Sequence, residues 1–134
     1  MATDTQIAPA STKMLWTGRI ISALPVLFML FGAVFSFAKP EAVAKDFSKY
    51  GYPESSLQRL IIVEMVCVVI YVIPATAVLG AILLTGYLGG ATATHVRIGE
   101  SFFLPVIMGV IVWLGLFFRD PRLRALIPFR RSPG

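Results

Sequence analysis

The chain has 134 residues, of which 57% are hydrophobic and only 14% charged, with a formal net charge of +5 and a mean hydropathy of +0.80. Soluble domains carry about 25% charged residues, so these values exclude an ordinary soluble fold and imply one integral membrane domain. The single cysteine, Cys67, excludes an intramolecular disulfide and a dithiol redox pair, and the basic residues gather at the ends of apolar blocks, a topology signal rather than a nucleic-acid one.

Residues 1–12 are small and polar, with Pro9, and are expected to be a disordered leader. Lys13, Trp16 and Arg19 then form an interfacial anchor ahead of the first apolar block. That block runs about 19 residues from Ile20, longer than the roughly 7–15 residues of a signal-peptide core, and is read as a span over 17–38. Pro25 and Gly32 lie inside it, and Pro25 is expected to kink the helix. The polar segment 39–56 places Val43, Phe47 and Tyr50 at i, i+4 and i+7, with Lys45, Asp46 and Lys49 on other sides. This is the pattern of a short amphipathic helix lying on the membrane, ended by Gly51 and Pro53.

Residues 57–90 make an apolar stretch too long for one span of about 20 residues. Pro74 near its middle divides it into spans over 54–73 and 75–95 joined by a tight hairpin. The competing reading is one long helix kinked at Pro74, because the turn has neither charge nor glycine. A fourth span covers 101–118, with Pro105 near its start, and stops at Arg119, Asp120 and Pro121. The membrane domain is thus expected over 13–124 and a basic tail over 125–134. Lys13, Arg19, Arg119, Arg122, Arg124, Arg130 and Arg131 outweigh Lys39, Lys45, Lys49, Arg59 and Arg97 on the opposite side, so both termini are predicted to be cytoplasmic. The expected fold class is all-α: an integral membrane four-helix bundle with a short interfacial helix between spans one and two.

Glu64 is the sole acidic residue inside a predicted span, and an intramembrane carboxylate is a functional-site candidate by default. Counting from Pro74 at about 1.5 Å per residue puts it level with Thr85, so Thr85 or Tyr87 would hydrogen-bond it. A carboxyl group there can donate a hydrogen bond to a ligand carbonyl such as that of a quinone, or carry a proton. It can equally be a polar clamp between two spans. His95, the only histidine, lies about 16 Å above Glu64 on a straight helix, too far for a direct dyad unless the Gly89-Gly90 pair breaks that helix. It reads either as a proton carrier and ligand contact, or as a cap on helix ends together with Arg97 and Glu100. Thr85, Thr92 and His95, at i, i+7 and i+10, read as one polar stripe rising from the level of Glu64. Gly86, Gly89, Gly90 and Ala93, at i, i+3, i+4 and i+7, form a small-residue stripe on another face, read as a helix-packing seam ahead of a ligand-approach surface. Tyr71 is a further aromatic contact for a ligand, or a plain core side chain. A lone histidine with no nearby partner gives no metal site, and there is no phosphate loop, dinucleotide-binding motif, haem histidine pair or nucleophile triad.

Several pieces together resemble the DoxX-like family of small bacterial membrane proteins. They are LGAILLTGYLGGATATHVRIGE at 79–100, GYPESS at 51–56, the mid-span Glu64, YVIP at 71–74 and WLGLFFRDPRLR at 113–124. The resemblance runs from the first span to Arg124. It implies a four-helix bundle in the bacterial inner membrane, within a superfamily named after subunits of a thiosulfate:quinone oxidoreductase. Family-typical positions matched here are Glu64, Pro74, Gly80, Thr85, Gly86, Tyr87, Gly89, Gly90, His95 and Arg97, none of them an established catalytic residue. The function this implies is a membrane subunit that binds a quinone-like hydrophobic molecule, holds no intrinsic cofactor and supports a redox partner protein. Glu64 and His95 are then the candidate proton carriers, and Thr85, Tyr87, Thr92, Arg97 and Tyr71 the candidate ligand contacts. The expected partners are the lipid bilayer, the redox protein and a second copy in a homo-oligomer, without nucleic acid. The alternatives are an acid–base enzyme of isomerase type on a lipid-soluble substrate, and a non-catalytic assembly subunit.

Overall fold

The structure, a computed structural model, describes residues 11–130. The leader expected over 1–12 falls almost wholly outside the described residues, as does the end of the basic tail. The described residues form α1 (Thr12–Ala38), α2 (Pro40–Ser48), α3 (Glu54–Val72), a 3-10 turn (Pro74–Thr76), α4 (Ala77–Arg97), α5 (Phe103–Arg119) and α6 (Pro121–Leu126), with no strand among them. Helix α1, helix α3 and the segment Pro74–Arg97 are each long and apolar enough to cross a membrane, while α5 is a shorter apolar helix. The protein is an all-helical membrane protein in contact with lipid.

Local chemistry sets the helix ends. The Ser11 hydroxyl accepts from the Met14 amide at 3.2 Å, so α1 begins at Thr12, five residues ahead of the expected span start at 17. The helix then continues through Pro25, which is buried on its inward side. Pro40 opens α2, Glu41 sits in its first turn and Lys45 in its last, each complementing the helix dipole. At the end of α3 the residue before Pro74, Ile73, is extended, as the proline ring requires. The Thr76 hydroxyl donates to the Ile70 carbonyl at 2.8 Å, satisfying one of the free acceptors there. The chain therefore turns at Pro74 and α4 runs back along α3, which excludes one continuous kinked helix. The Arg-Asp-Pro-Arg-Leu-Arg segment makes a second capped turn. Asp120 accepts from the Arg122 amide at 2.9 Å, and Arg124 donates to the last carbonyls of α5, at Phe117 and Phe118.

Helix α1 packs chiefly on α5, and α4 packs on both α3 and α5. Lipid offers no hydrophobic drive between helices, so close backbone approach has to supply van der Waals contact. Three glycines provide it. A methyl group on Gly18 would stand 2.7 Å from the Arg119 amide nitrogen and 2.8 Å from the Gly115 carbonyl. One on Gly115 would meet the Ser22 backbone, and one on Gly80 the backbone of Tyr71. By contrast Gly86, Gly89 and Gly90 have nothing within 4 Å of the position a Cβ would occupy. The expected packing seam of Gly86, Gly89, Gly90 and Ala93 therefore packs no helix of this chain; all four are exposed.

The buried core contains Met29, Cys67, Val68, Tyr71, Ala81, Leu84, Leu88, Met108, Val112 and Leu116. Outside it, Phe31, Phe37, Phe103 and Val110 are exposed, an apolar surface suited to acyl chains rather than water. One polar node lies within this core at the hairpin end. Tyr71 is fully buried, and its hydroxyl lies 2.7 Å from the Val112 carbonyl and 3.0 Å from the Ser22 hydroxyl. The carbonyl only accepts, so the single tyrosine proton goes there and Ser22 donates to Tyr71. The Arg119 guanidinium lies 4.6 Å from the centre of the Tyr71 ring and donates to the Tyr71 carbonyl. This node ties α1, α3 and α5 together at one end.

Candidate functional site

The opposite end of the helices holds the candidate site. Helix α2 packs there against α1 and α3, and a turn after it brings Tyr50 and Tyr52 over α4. Gly51, with φ +78, supplies the left-handed residue that this turn needs. Arg97 fixes the turn from the far side: its guanidinium donates to the Tyr50 carbonyl and lies 5.7 Å from the centre of the Tyr52 ring. Lys49 and Glu100 form an ion pair at 2.9 Å, and the Tyr50 hydroxyl points to the same carboxylate. The hydrogen bond with Glu100 raises the Lys49 pKa, and the same bond lowers that of Glu100. Burial raises the Tyr50 pKa. Both members of the ion pair are exposed, so they orient the turn more than they stabilise it.

Beneath this turn lies a cleft of about 570 Å³. Phe47, Tyr50 and Tyr52 line one side, Ser56, Arg59 and Leu60 of α3 a second, and Gly86, Tyr87, Gly90, Ala91, Thr94 and His95 of α4 the floor. Phe47 stacks on Tyr52 at 5.6 Å and meets Tyr50 edge-on at 6.0 Å, forming an aromatic wall. The His95 ring lies 5.4 Å from that of Tyr50, and its Nδ1 is 2.7 Å from the Ala91 carbonyl. The Tyr52 hydroxyl lies 3.0 Å from that of Thr94, whose own proton is directed to the Gly90 carbonyl. Tyr52 is therefore the donor in that pair.

Tyr87 lines the cleft and also lies near the intramembrane carboxylate of Glu64 on α3. Glu64 itself is half-buried on α3 and is not among the residues that line the cleft. Tyr87 and His95 thus share the cleft, and Glu64 neighbours Tyr87 alone of the two. Thr85 and Thr92 are elsewhere. They line a separate groove of about 440 Å³ between α4 and α5, with Pro105, Val106 and Trp113. The Thr85 hydroxyl donates to the Ala81 carbonyl at 2.7 Å and accepts from the Trp113 indole at 2.7 Å, and Thr92 donates to the Leu88 carbonyl. The reason is angular. Residues two apart on a helix differ by about 200°, so Thr85 and Tyr87 cannot face one pocket, and ten residues leave His95 about 80° away from Thr85. The single stripe expected from Thr85, Thr92 and His95 is therefore split between two faces. Tyr71 belongs to the buried node at the other end, about 10 Å along α3 from Glu64. Arg97 braces the cleft's turn from outside its lining. Among the described residues no group of three His, Cys, Asp or Glu could hold a metal ion.

The family model described as the DoxX-like family matches residues 20–116. The chain belongs to the DoxX-like family. Comparison with curated proteins and with solved structures gives no match. The part of this DoxX-like protein that fits the family contains every residue lining the cleft, Phe47 through His95, together with Glu64. The capped turn at Arg119 to Arg124 lies beyond it. Sequence reasoning missed the aromatic wall and Arg59 as site residues. The signal for Phe47 and Tyr50 was present in the i, i+4, i+7 spacing they make with Val43; Arg59 and Tyr52 carried none.

Proposed function

We propose that this DoxX-like protein binds a hydrophobic, flat-ringed small molecule of quinone type in the cleft beside α2 and serves a membrane redox partner. In this reading α1, α3, α4 and α5 are the four spans of a bundle in the bacterial inner membrane. The 17 residues of α5 give a helix of about 26 Å, short enough to favour a locally thinned bilayer. Helix α2 lies in the interface, both termini are cytoplasmic, and the cleft opens at the outer leaflet.

The observation that carries the reading is the cleft's make-up. Its volume of about 570 Å³ is within the range of roughly 300–1,000 Å³ typical of small-molecule sites, which are mostly apolar with a few convergent polar groups. Here those groups are His95, Tyr87 and Arg59. Quinone chemistry takes up and releases protons together with electrons; Tyr87, Glu64 and His95 would move the protons and the partner the electrons.

The test is binding of a short-tailed quinone to the purified protein in nanodiscs. Tyr87→Phe and Glu64→Gln are each expected to weaken it about tenfold, the value of one hydrogen bond to the ligand or its partner. Unchanged affinity in both variants overturns the reading. The nearness of Glu64 and Tyr87 also favours a second reading, proton transfer on a lipid-soluble substrate. Deuterium uptake from heavy water into a bound lipid distinguishes it, since ligand binding alone produces none.

A further inference from the structure

We infer that the cleft selects a ring that carries a free hydroxyl over the same ring with that hydroxyl blocked, and that Nε2 of His95 makes the selection. The inference rests on the cleft being a ligand site, and it names the class of ligand.

The histidine's other nitrogen fixes the tautomer. Nδ1 lies 2.7 Å from the Ala91 carbonyl. A carbonyl oxygen only accepts, so Nδ1 carries the proton. In the neutral ring Nε2 is then a bare lone pair, able to accept a hydrogen bond and unable to donate one. No hydrogen bond joins Nε2 to any described residue. Nor is it among the sealed polar atoms that lack a partner, a set with Arg119 Nε as its one described member. It is therefore an accessible, unpaired acceptor on a residue that lines the cleft.

The neighbouring hydroxyls are already engaged. Tyr52 donates to Thr94, Thr94 to the Gly90 carbonyl, and Tyr50 to Glu100. His95 Nε2 is an acceptor with no hydrogen bond among the described residues and no proton of its own to donate. The shape around it suits a flat ring: the Phe47–Tyr52 stack forms a wall, and Gly86 and Gly90 leave the floor open at two points. The occupant that satisfies both is a membrane-soluble phenol-type ring, the reduced quinol form of a quinone included, whose hydroxyl donates to Nε2. A ligand lacking the proton leaves the acceptor unpaired and desolvated, the situation in which hydroxyl-reading sites discriminate most strongly.

The test uses para-octylphenol and its methyl ether as probes. Binding to the purified protein in nanodiscs is measured against empty nanodiscs. The wild-type protein is expected to bind the phenol about tenfold more tightly than the ether. His95→Ala is expected to remove that preference, and Gly90→Leu to remove binding of both probes. Equal binding of the two probes by wild type, or a preference that survives His95→Ala, overturns the hydroxyl selection. If Gly90→Leu still eliminates both probes in that case, the cleft remains a ligand site. If Gly90→Leu leaves both probes bound, the cleft reading itself falls, and this inference with it.

Discussion

Replacing Gly80 with alanine destabilises the protein by about 1–3 kcal/mol, the usual cost of forcing extra volume into a packed contact. A methyl group there would collide with the backbone of Tyr71, and backbone cannot rotate out of the way as a side-chain tip can. The collision lies at the start of α4, where the hairpin holds α3 and α4 closest. It also disturbs Tyr71, whose hydroxyl and carbonyl bind Val112, Ser22 and Arg119. The same replacement at Gly86 or Gly89 has the opposite sign. Open space surrounds those positions, so alanine keeps only its better helix propensity, worth up to about 1 kcal/mol. Unfolding in mixed detergent micelles, followed by helical circular dichroism, measures all three variants. Equal effects at the three glycines would contradict the packing described here.

Replacing Gly90 with leucine lowers quinone affinity at least about 100-fold while leaving the protein as stable as before. Gly90 is exposed on the floor of the cleft, with nothing near its Cβ position, so the leucine enters empty space rather than a neighbour. It occupies the volume that a ring would need between α4 and the Tyr50–Tyr52 turn. Blocking a site is more severe than removing one hydrogen bond, which is why the expected loss exceeds that of Tyr87→Phe. Thr85→Ala is the matching control. Its hydroxyl points to Ala81 and Trp113, in the other groove, so quinone affinity is unchanged. Affinity that survives Gly90→Leu, or a loss of stability equal to the loss of binding, would contradict this assignment.

The contrast between these glycines shows what the sequence could and could not convey. The membrane class, the helical class and the turn at Pro74 follow from composition and from proline chemistry, which are local. Depth also followed, because a helix rises a fixed distance per residue. Rotation about the helix axis did not. In a soluble helix the apolar side marks the interior. Here helices such as α3 and α4 are apolar on the lipid side as well as the core side, so nothing in the pattern separates Gly80, which touches α3, from Gly86 and Gly90, which touch nothing. The same ambiguity put Thr85 beside Glu64 when its neighbour is Trp113. The Gly18 and Ser22 pair, at the small-xxx-small spacing of close-packed membrane helices, was a usable signal for the α1–α5 contact. The node of Tyr71, Ser22 and the Val112 carbonyl joins three helices far apart in sequence, and one of its partners is backbone, which leaves no trace in residue identity.

The central claim is that the ligand lies in the cleft beside α2 rather than in the groove beside Trp113. A photoreactive quinone analogue, illuminated in native membranes and followed by peptide mapping of the labelled protein, tests it most directly. The account predicts adducts on Tyr50, Tyr52, Tyr87 or His95, lost in Gly90→Leu and reduced by excess unlabelled quinone. Adducts confined to Trp113, Pro105 and Val106, or labelling that neither Gly90→Leu nor competitor changes, would contradict it.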